Sequence, residues 1–319
     1  MTHFVLKVPG RKLVFPICVL LAALASATAR TITVDCEKTT ISNALKTLDP
    51  QASNTIKVTG ICRDSIGIND FADLSIVGLN DSSQKPTIKS LNNAPIFWIV
   101  ASHVQISNLT LDGGVFGVMC RDSSVCRFGG NTIQNTTGNG VNLDGADATF
   151  TGDVIQSNAN YGLILTASRV RVTQVTVKDT TAGSWGPGNG IEVDDGSTLV
   201  VEQLTAQSNQ GAGVSLMGNS HLRNRPWTGP FTVSNNAGGG IWVTAQSSAD
   251  LSGATVTNNG GGNGGAGVVI NEDADVQFWG GGTFTGNQPI DVYCGTYNGF
   301  AAAPQHANIG STNCPNTYQ

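Results

Sequence analysis

Apolar and polar residues alternate with a period of two along most of this chain, in short runs separated by small polar turns. The clearest runs share one form: GVMCRDSS at 117–124, GVNLDGAD at 140–147, GLILTASR at 162–169 and GIEVDDGS at 190–197. Each reads glycine, apolar, any residue, apolar, turn, and the form returns at Gly213, Gly240 and Gly267. Successive glycines stand 23, 22, 28, 23, 27 and 27 residues apart. Alternation predicts short, half-buried strands, and self-similarity at a step of about 22 residues predicts a stack of coils.

One coil can be read from 148 to 169: ATFTG as a first strand, VIQ as a second, SNANY as a turn, GLIL as a third strand and TASR as the closing turn. The neighbouring text, VQISN-LTLDG, CRFGGN-TIQNTT, VRVTQ-VTVKD and LVVEQ-LTAQSN, follows the same order. Roughly ten coils stacked about 4.8 Å apart make a parallel β-rod roughly 50 Å long. Two inward columns are expected on the third strand: Val118, Val141, Leu163, Ile191, Val214, Ile241 and Val268, then Cys120, Leu143, Leu165, Val193, Leu216, Val243 and Ile270. A column on the second strand holds Ile133, Ile155, Val177, Ala206, Val233 and Val256. Asn158, Asn209, Asn236, Asn259 and Asn287 precede the third strand, and Asn108, Asn131, Asp153, Gln174 and Gln203 precede the second. Both sets are read as structural ladders, because an asparagine amide can bond its copy one coil away and tolerates left-handed backbone.

The ends differ from the middle. Lys7, Arg11 and Lys12, an apolar run over 13–25 and Ala27-Thr28-Ala29 compose an export signal at 1–29, cleaved near Ala29. Residues 30–62 are expected to form an N-terminal cap and first strand. Thr39-Thr40 would start a short helix with Ile41, Ala44, Leu45 and Leu48 on one face, stopped by Pro50. The coils would occupy 63–293, and 294–319 a C-terminal cap or tail. The coil stretch leaves no apolar run able to span a bilayer.

Charge and cysteines narrow the class. Without the signal, 14 Lys and Arg face 22 Asp and Glu, a net charge of −8, and no Lys or Arg follows Arg225. That balance argues against a nucleic-acid partner. Six cysteines remain, an even number that in an exported chain reads as disulfides. Proximity suggests Cys36–Cys62, Cys120–Cys126 and Cys294–Cys314, although spacing alone leaves other connectivities open. No C-x-x-C occurs and His103, His221 and His306 are scattered, so zinc is not expected.

The residues GLILTAS-RVRVTQ-VTVKDTT and their copies resemble the right-handed parallel β-helix (pectin lyase-like) proteins: polygalacturonases, pectate lyases, alginate lyases and epimerases, and exported proteins without assigned activity. The resemblance covers roughly residues 31–300. It implies an all-β, single-stranded right-handed parallel β-helix with a short N-terminal capping helix, and carbohydrate lying along the third strand. It does not imply a reaction, since coils of this kind share shape rather than chemistry.

Complete catalytic patterns of that family are missing. Polygalacturonases carry aspartates before the third-strand glycine, where this chain has Asn139, Tyr161, Asn189, Ala212, Gly239 and Ala266, and neither Gly-His-Gly nor Arg-x-Lys occurs. Tyr161-Gly162 resembles the start of the epimerase motif, but Leu163-Ile164-Leu165 follows in place of Asp-Pro-His. Arg225-Pro226-Trp227 resembles part of the pectin methylesterase Gly-Arg-Pro-Trp, but lies between the first and second strands. It is read as a coil insertion with Trp227 packed against it. Arg121 stands alone where a pectate lyase would need calcium-binding aspartates beside its arginine.

Candidate chemistry therefore rests on the outward positions of the third strand. Glu192 and Asp194, two residues apart and so about 7 Å along a strand, are the candidate catalytic acid and base. Asn142, Asp144, Trp242 and Trp185 are the candidate substrate-binding residues, Trp185 from the long turn at 181–189. Glu272, Asp273 and Asp275 read as a solvated acidic turn, and no cofactor or metal is expected. The expected function is a secreted protein associated with polysaccharide or a cell-surface glycan, as a glycoside hydrolase if an enzyme; a lyase or epimerase fits less well. The alternative is a non-catalytic surface adhesin or scaffold.

Overall fold

The computed structural model of the chain describes residues 28–80, 85–261, 265–295, 300–302 and 306–315. Residues 1–27 of the expected export signal lie outside the described residues. Strands are dealt in turn to three parallel sheets, so each coil returns to the first sheet one layer further on. The first, second and third sheets hold 12, 11 and 10 strands, about eleven coils in all. Pairing along the third sheet runs without a slip through Met119, Asn142, Ile164, Glu192, Ser215 and Trp242. Differences in coil length are absorbed by the turns.

The three apolar columns read from the sequence are buried and stack like on like. Each buried Val, Leu or Ile contributes about 1.5–3 kcal/mol relative to exposure. Phe128 and Phe150 add a stacked pair, with centroids 4.5 Å apart, one coil on the next. The signature glycine is explained by close approach. A Cβ on Gly190 would stand 2.6 Å from the carbonyl oxygen of Gly213 and 2.7 Å from Asn209 Nδ2. Glycine and asparagine are thus one device: the glycine leaves room for the amide of the neighbouring coil.

The asparagine ladder before the third strand is continuous over its C-terminal half. Asn209 Nδ2 donates to Asn236 Oδ1 at 2.8 Å, Asn236 to Asn259 at 2.8 Å, and Asn259 to Asn287 at 2.9 Å. Asp291 accepts from Asn287 at 2.9 Å and closes the series. The column before the second strand is not the ladder expected from the sequence. Asn131 and Asp153 share one register and bond to each other at 2.9 Å. Asn108, Gln174 and Gln203 stand one residue earlier, in line with Gly130 and Gly152. In the sequence reading they merge because each precedes a strand. In the structure a one-residue offset moves Asn108 and Gln174 to left-handed corners, with φ of 57° at both.

Further elements extend both ends. The strand Arg30–Asp35 pairs with Ser53–Thr59, so the first sheet begins earlier than the sequence suggests. The helix Ile41–Leu45 starts at Thr40, whose side chain accepts from the Asn43 N–H, and ends before Pro50. It packs against Ile66–Asn69, the first strand of the third sheet. Ser42 ties it down through its N–H and Oγ on Asp64, at 2.9 and 2.8 Å. Strands Phe300–Ala302 and Asn308–Ile309 continue the first and second sheets beyond 293. Disulfides join Cys36 to Cys62, Cys120 to Cys126 and Cys294 to Cys314. The outer two fasten the ends, and the middle one links the third sheet to the first inside the core. Three disulfides fit an oxidising compartment. No helix among the described residues is long and apolar enough to cross a membrane.

Asn236→Ala removes the acceptor of two buried Asn209 donors and the amide that serves Ala206 O. Its cost should be about 2–4 kcal/mol. Thr255→Ala, an outward position one coil on, should stay within about 0.5 kcal/mol. Denaturation midpoints of the two variants check the contrast.

Candidate functional site

The outward face of the third sheet is a grid fixed by register. Its first column reads Trp98, Met119, Asn142, Ile164, Glu192, Ser215, Trp242, Val269 and Tyr293. A second column, two residues on, carries Val100, Arg121, Asp144, Thr166 and Asp194. The candidates named from sequence divide into three places.

Glu192 and Asp194 come together with Tyr161. Glu192 holds an outward position but is buried, only 4% exposed. Its side chain lies along the strand towards Asn189, whose Nδ2 donates to Oε2 at 2.7 Å. Asn189 Oδ1 accepts the Ala212 N–H at 2.7 Å, which fixes the direction of the amide. Burial pushes the Glu192 carboxyl up to about 7, against hydrogen bonds from Asn189 and Ser215 that hold it down, and the charge of Asp194 adds to the rise. Burial also raises the Tyr161 phenol, helped by the charges of Glu192 and Asp194. Asp194 itself is half-buried and accepts the N–H of Asp195 at 2.8 Å within its own turn.

Asp144 is drawn into a different group. Arg121 is not alone: it pairs with Asp122 at 3.1 Å and Asp144 at 3.5 Å, and lies over the Trp98 ring, 5.9 Å from its centroid. Asn142 is half-buried between Met119 and Ile164.

The two tryptophans flank the carboxylates from opposite sides. The turn 181–188 folds back over earlier coils. Trp185 N–H donates to Asn160 Oδ1 at 3.0 Å, and the indole lies 6.3 Å from Phe116. Gly186 sits against the Tyr161 ring. Trp242 is two coils past Glu192 and leans over Gly239, where a Cβ would stand 2.6 Å from its indole nitrogen. Beyond it runs a groove of about 560 Å³ lined by Met217, Trp242, Val269, Asn271, Glu272 and Tyr293, among others. Glu192 and Asp194 do not line it.

Two further aromatic residues of this face lie outside the repeat pattern of the sequence. Trp98 is 39% exposed and Tyr293 38%, matching Trp242 at 37%. Their coils lack the glycine: Ile96 and Asp291 stand in its place. The periodic alternation in FWIV and DVYC was the signal that could have placed them. The expected packing of Trp227 is not seen; it is 77% exposed, because the turn at 225–229 is held by backbone and Thr228 hydrogen bonds and leaves the ring outside. Among the described residues no group of three or more His, Cys, Asp or Glu is arranged to hold a metal.

The family described as the right handed beta helix region matches residues 94–259, just over half of the chain. The chain is a right-handed β-helix protein. No curated protein matches its sequence. Among solved structures, this β-helix is similar to the A-module of the Azotobacter vinelandii mannuronan C-5 epimerase AlgE4, at 11% identity and a TM-score of 0.55, over 85% of this chain and 88% of that one. It is also similar to the A-module of AlgE6 from the same organism, at 12% identity and a TM-score of 0.52, over 82% and 85% of the two chains. At such identity the likeness speaks for the fold alone.

A carboxyl held at about 7 keeps its proton in the folded state while the unfolded one has lost it, between its ordinary 4.5 and that value. Stability should therefore be full at low pH and fall as pH rises through that window, by up to about 3 kcal/mol from this group. Asp153, pushed up to about 6 by burial, acts in the same direction. Glu192→Gln imitates the protonated acid. It should match the parent at pH 4 and exceed it in stability at pH 8, as read by urea titration at both values.

Proposed function

We propose that this β-helix protein is exported and binds a polysaccharide lengthwise along the third sheet, centred on Trp242 and the groove beyond it. The observation that carries this reading is the aromatic column: Trp98, Trp242 and Tyr293 stand in register on one face, each more than a third exposed. Trp242 and Tyr293 are two coils apart, about 10 Å. Flat rings at such intervals suit the apolar faces of sugar rings, and the intervening Thr244, Asn271 and Glu272 supply hydrogen-bonding groups. Asn142, Asp144 and Trp185 lie on or beside the same face and extend the contact towards the N-terminal coils. The disulfides and the basic-apolar leader support export.

A second reading, hydrolysis, is favoured by one observation. Glu192 is held near 7 while Asp194 stands two residues along the same strand. A neutral acid beside a carboxylate is the inventory of a glycosidase. In this reading Glu192 donates the proton to the leaving oxygen and Asp194 activates water. Its buried carboxyl must turn away from Asn189 to do so. Binding comes first because the aromatic column is open to a ligand and Glu192 is not.

A panel of plant, algal and microbial polysaccharides identifies the polymer. Trp242→Ala and Tyr293→Ala should each weaken its binding about tenfold or more, roughly 1.4 kcal/mol, while Glu192→Gln leaves it unchanged. Absence of binding to every polymer tested would favour a scaffold or adhesin. If the bound polymer releases reducing sugar and Glu192→Gln abolishes that release, the hydrolytic reading stands; a bound polymer left intact by the parent protein removes it.

A further inference from the structure

The first sheet carries a charge pattern opposite to that of the whole protein. Its outward column runs Arg127, Thr149, Arg171, Val200, Arg223 and Asp250 in unbroken register. An arginine thus recurs at every second coil, about 10 Å apart. Arg169 joins them from the adjacent column, opposite Asp147. All four arginines are exposed, and among the described residues Arg127, Arg169 and Arg223 make no ion pair. Glu202 takes up Arg171 at 3.3 Å and Arg225 at 3.0 Å. Between the strands Val125–Gly129 and His221–Asn224, five arginines, with Arg225 just past the last strand, face two acidic groups, Asp147 and Glu202. His103 and His221 lie at the two borders of this island, and Asp73, Asp250 and Asp275 lie beyond it. These five arginines are a large part of the 14 basic residues left without the signal, on a chain of net charge −8.

We propose that this face is a second binding surface, for an acidic polysaccharide of the polyuronate class. The exposed Trp227, next to Arg225 at the corner of the same face, offers a ring for the end of the chain. In an extended sugar chain with two-fold character, substituents on one side recur at every second sugar, the alternation that the arginine column shows. A guanidinium binds a carboxylate with two parallel hydrogen bonds. Nucleic acid fits poorly. Its charges come about every 3.4 Å along each strand, and its binding commonly engages about six to ten phosphates, whereas three unpaired arginines stand here on an otherwise acidic protein. The surface is independent of the third-sheet reading, because the turns at 122–124, 145–146 and 195–197 separate the two faces.

The test measures binding of polygalacturonate, neutral dextran and double-stranded DNA to the full chain and to Arg127→Gln/Arg171→Gln/Arg223→Gln, in parent and Trp242→Ala/Tyr293→Ala backgrounds, at low and at physiological salt. Melting curves establish that the triple variant is folded; its substitutions are all at exposed positions, and Glu202 keeps Arg225. Expected is polygalacturonate binding that weakens with salt, falls at least tenfold in the triple variant in both backgrounds, and has no dextran counterpart. Equal binding by the triple variant and the parent overturns the proposal, as does no binding of polygalacturonate by the parent. Binding of DNA as tight as that of polygalacturonate assigns the face to a different class of polyanion and also overturns it. Loss of binding through Trp242 and Tyr293 alone would leave the third-sheet reading intact and sink this one.

Discussion

Every residue of a parallel coil pairs with its counterparts one layer above and one below, so whatever occupies a position must fit on top of itself. That constraint decides most of this structure. Apolar residues meet it by stacking on apolar residues, as in the columns through Val118 and Cys120. A buried polar residue meets it only if it can both donate to and accept from its own copy. Asparagine can, and the series Asn209, Asn236, Asn259 and Asn287 is the result. Glycine must then stand opposite the amide, because a Cβ at Gly190 or Gly240 would collide with Asn209 or Asn259. The carboxylate of Asp291, an acceptor only, is where the series stops.

The same constraint explains what the sequence revealed. A rule that repeats is visible as a period, so the coil, the three inward columns and the outward alternation are all legible in the sequence. What breaks the period could not. Trp98 and Tyr293 carry no repeat mark in the sequence because Ile96 and Asp291 replace the glycine that marks the third strand. The columns of Asn108 and Asn131 merged because a one-residue offset at a corner leaves no trace in composition. Trp227 follows a proline in a turn, and nothing in its neighbours says which way the ring points.

The candidate site shows the limit more sharply. Parity along the strand places Glu192 and Asp194 outward together, and that is true of the backbone. The environment of Glu192 depends on Asn189, on Ser215 of the next coil and on Tyr161 of the previous one. Tyr161 in turn is pressed by Gly186 of the 181–188 turn. These partners are scattered in sequence, and their joint effect, a buried acid that keeps its proton near neutrality, exists only once the coils are stacked. The aromatic column, by contrast, needs only register and exposure. It is therefore what the proposed binding rests on, and the hydrolytic reading rests on the carboxylates.

The proposed function places a polymer on the third sheet, along the rod axis. The most direct measurement is a crystal structure with an oligosaccharide of whichever polymer binds in solution. Sugar rings stacked on Trp242 and Tyr293 are expected, with the chain running across successive coils through the groove between them. An oligosaccharide bound elsewhere, with the Trp242 and Tyr293 rings bare, would contradict it.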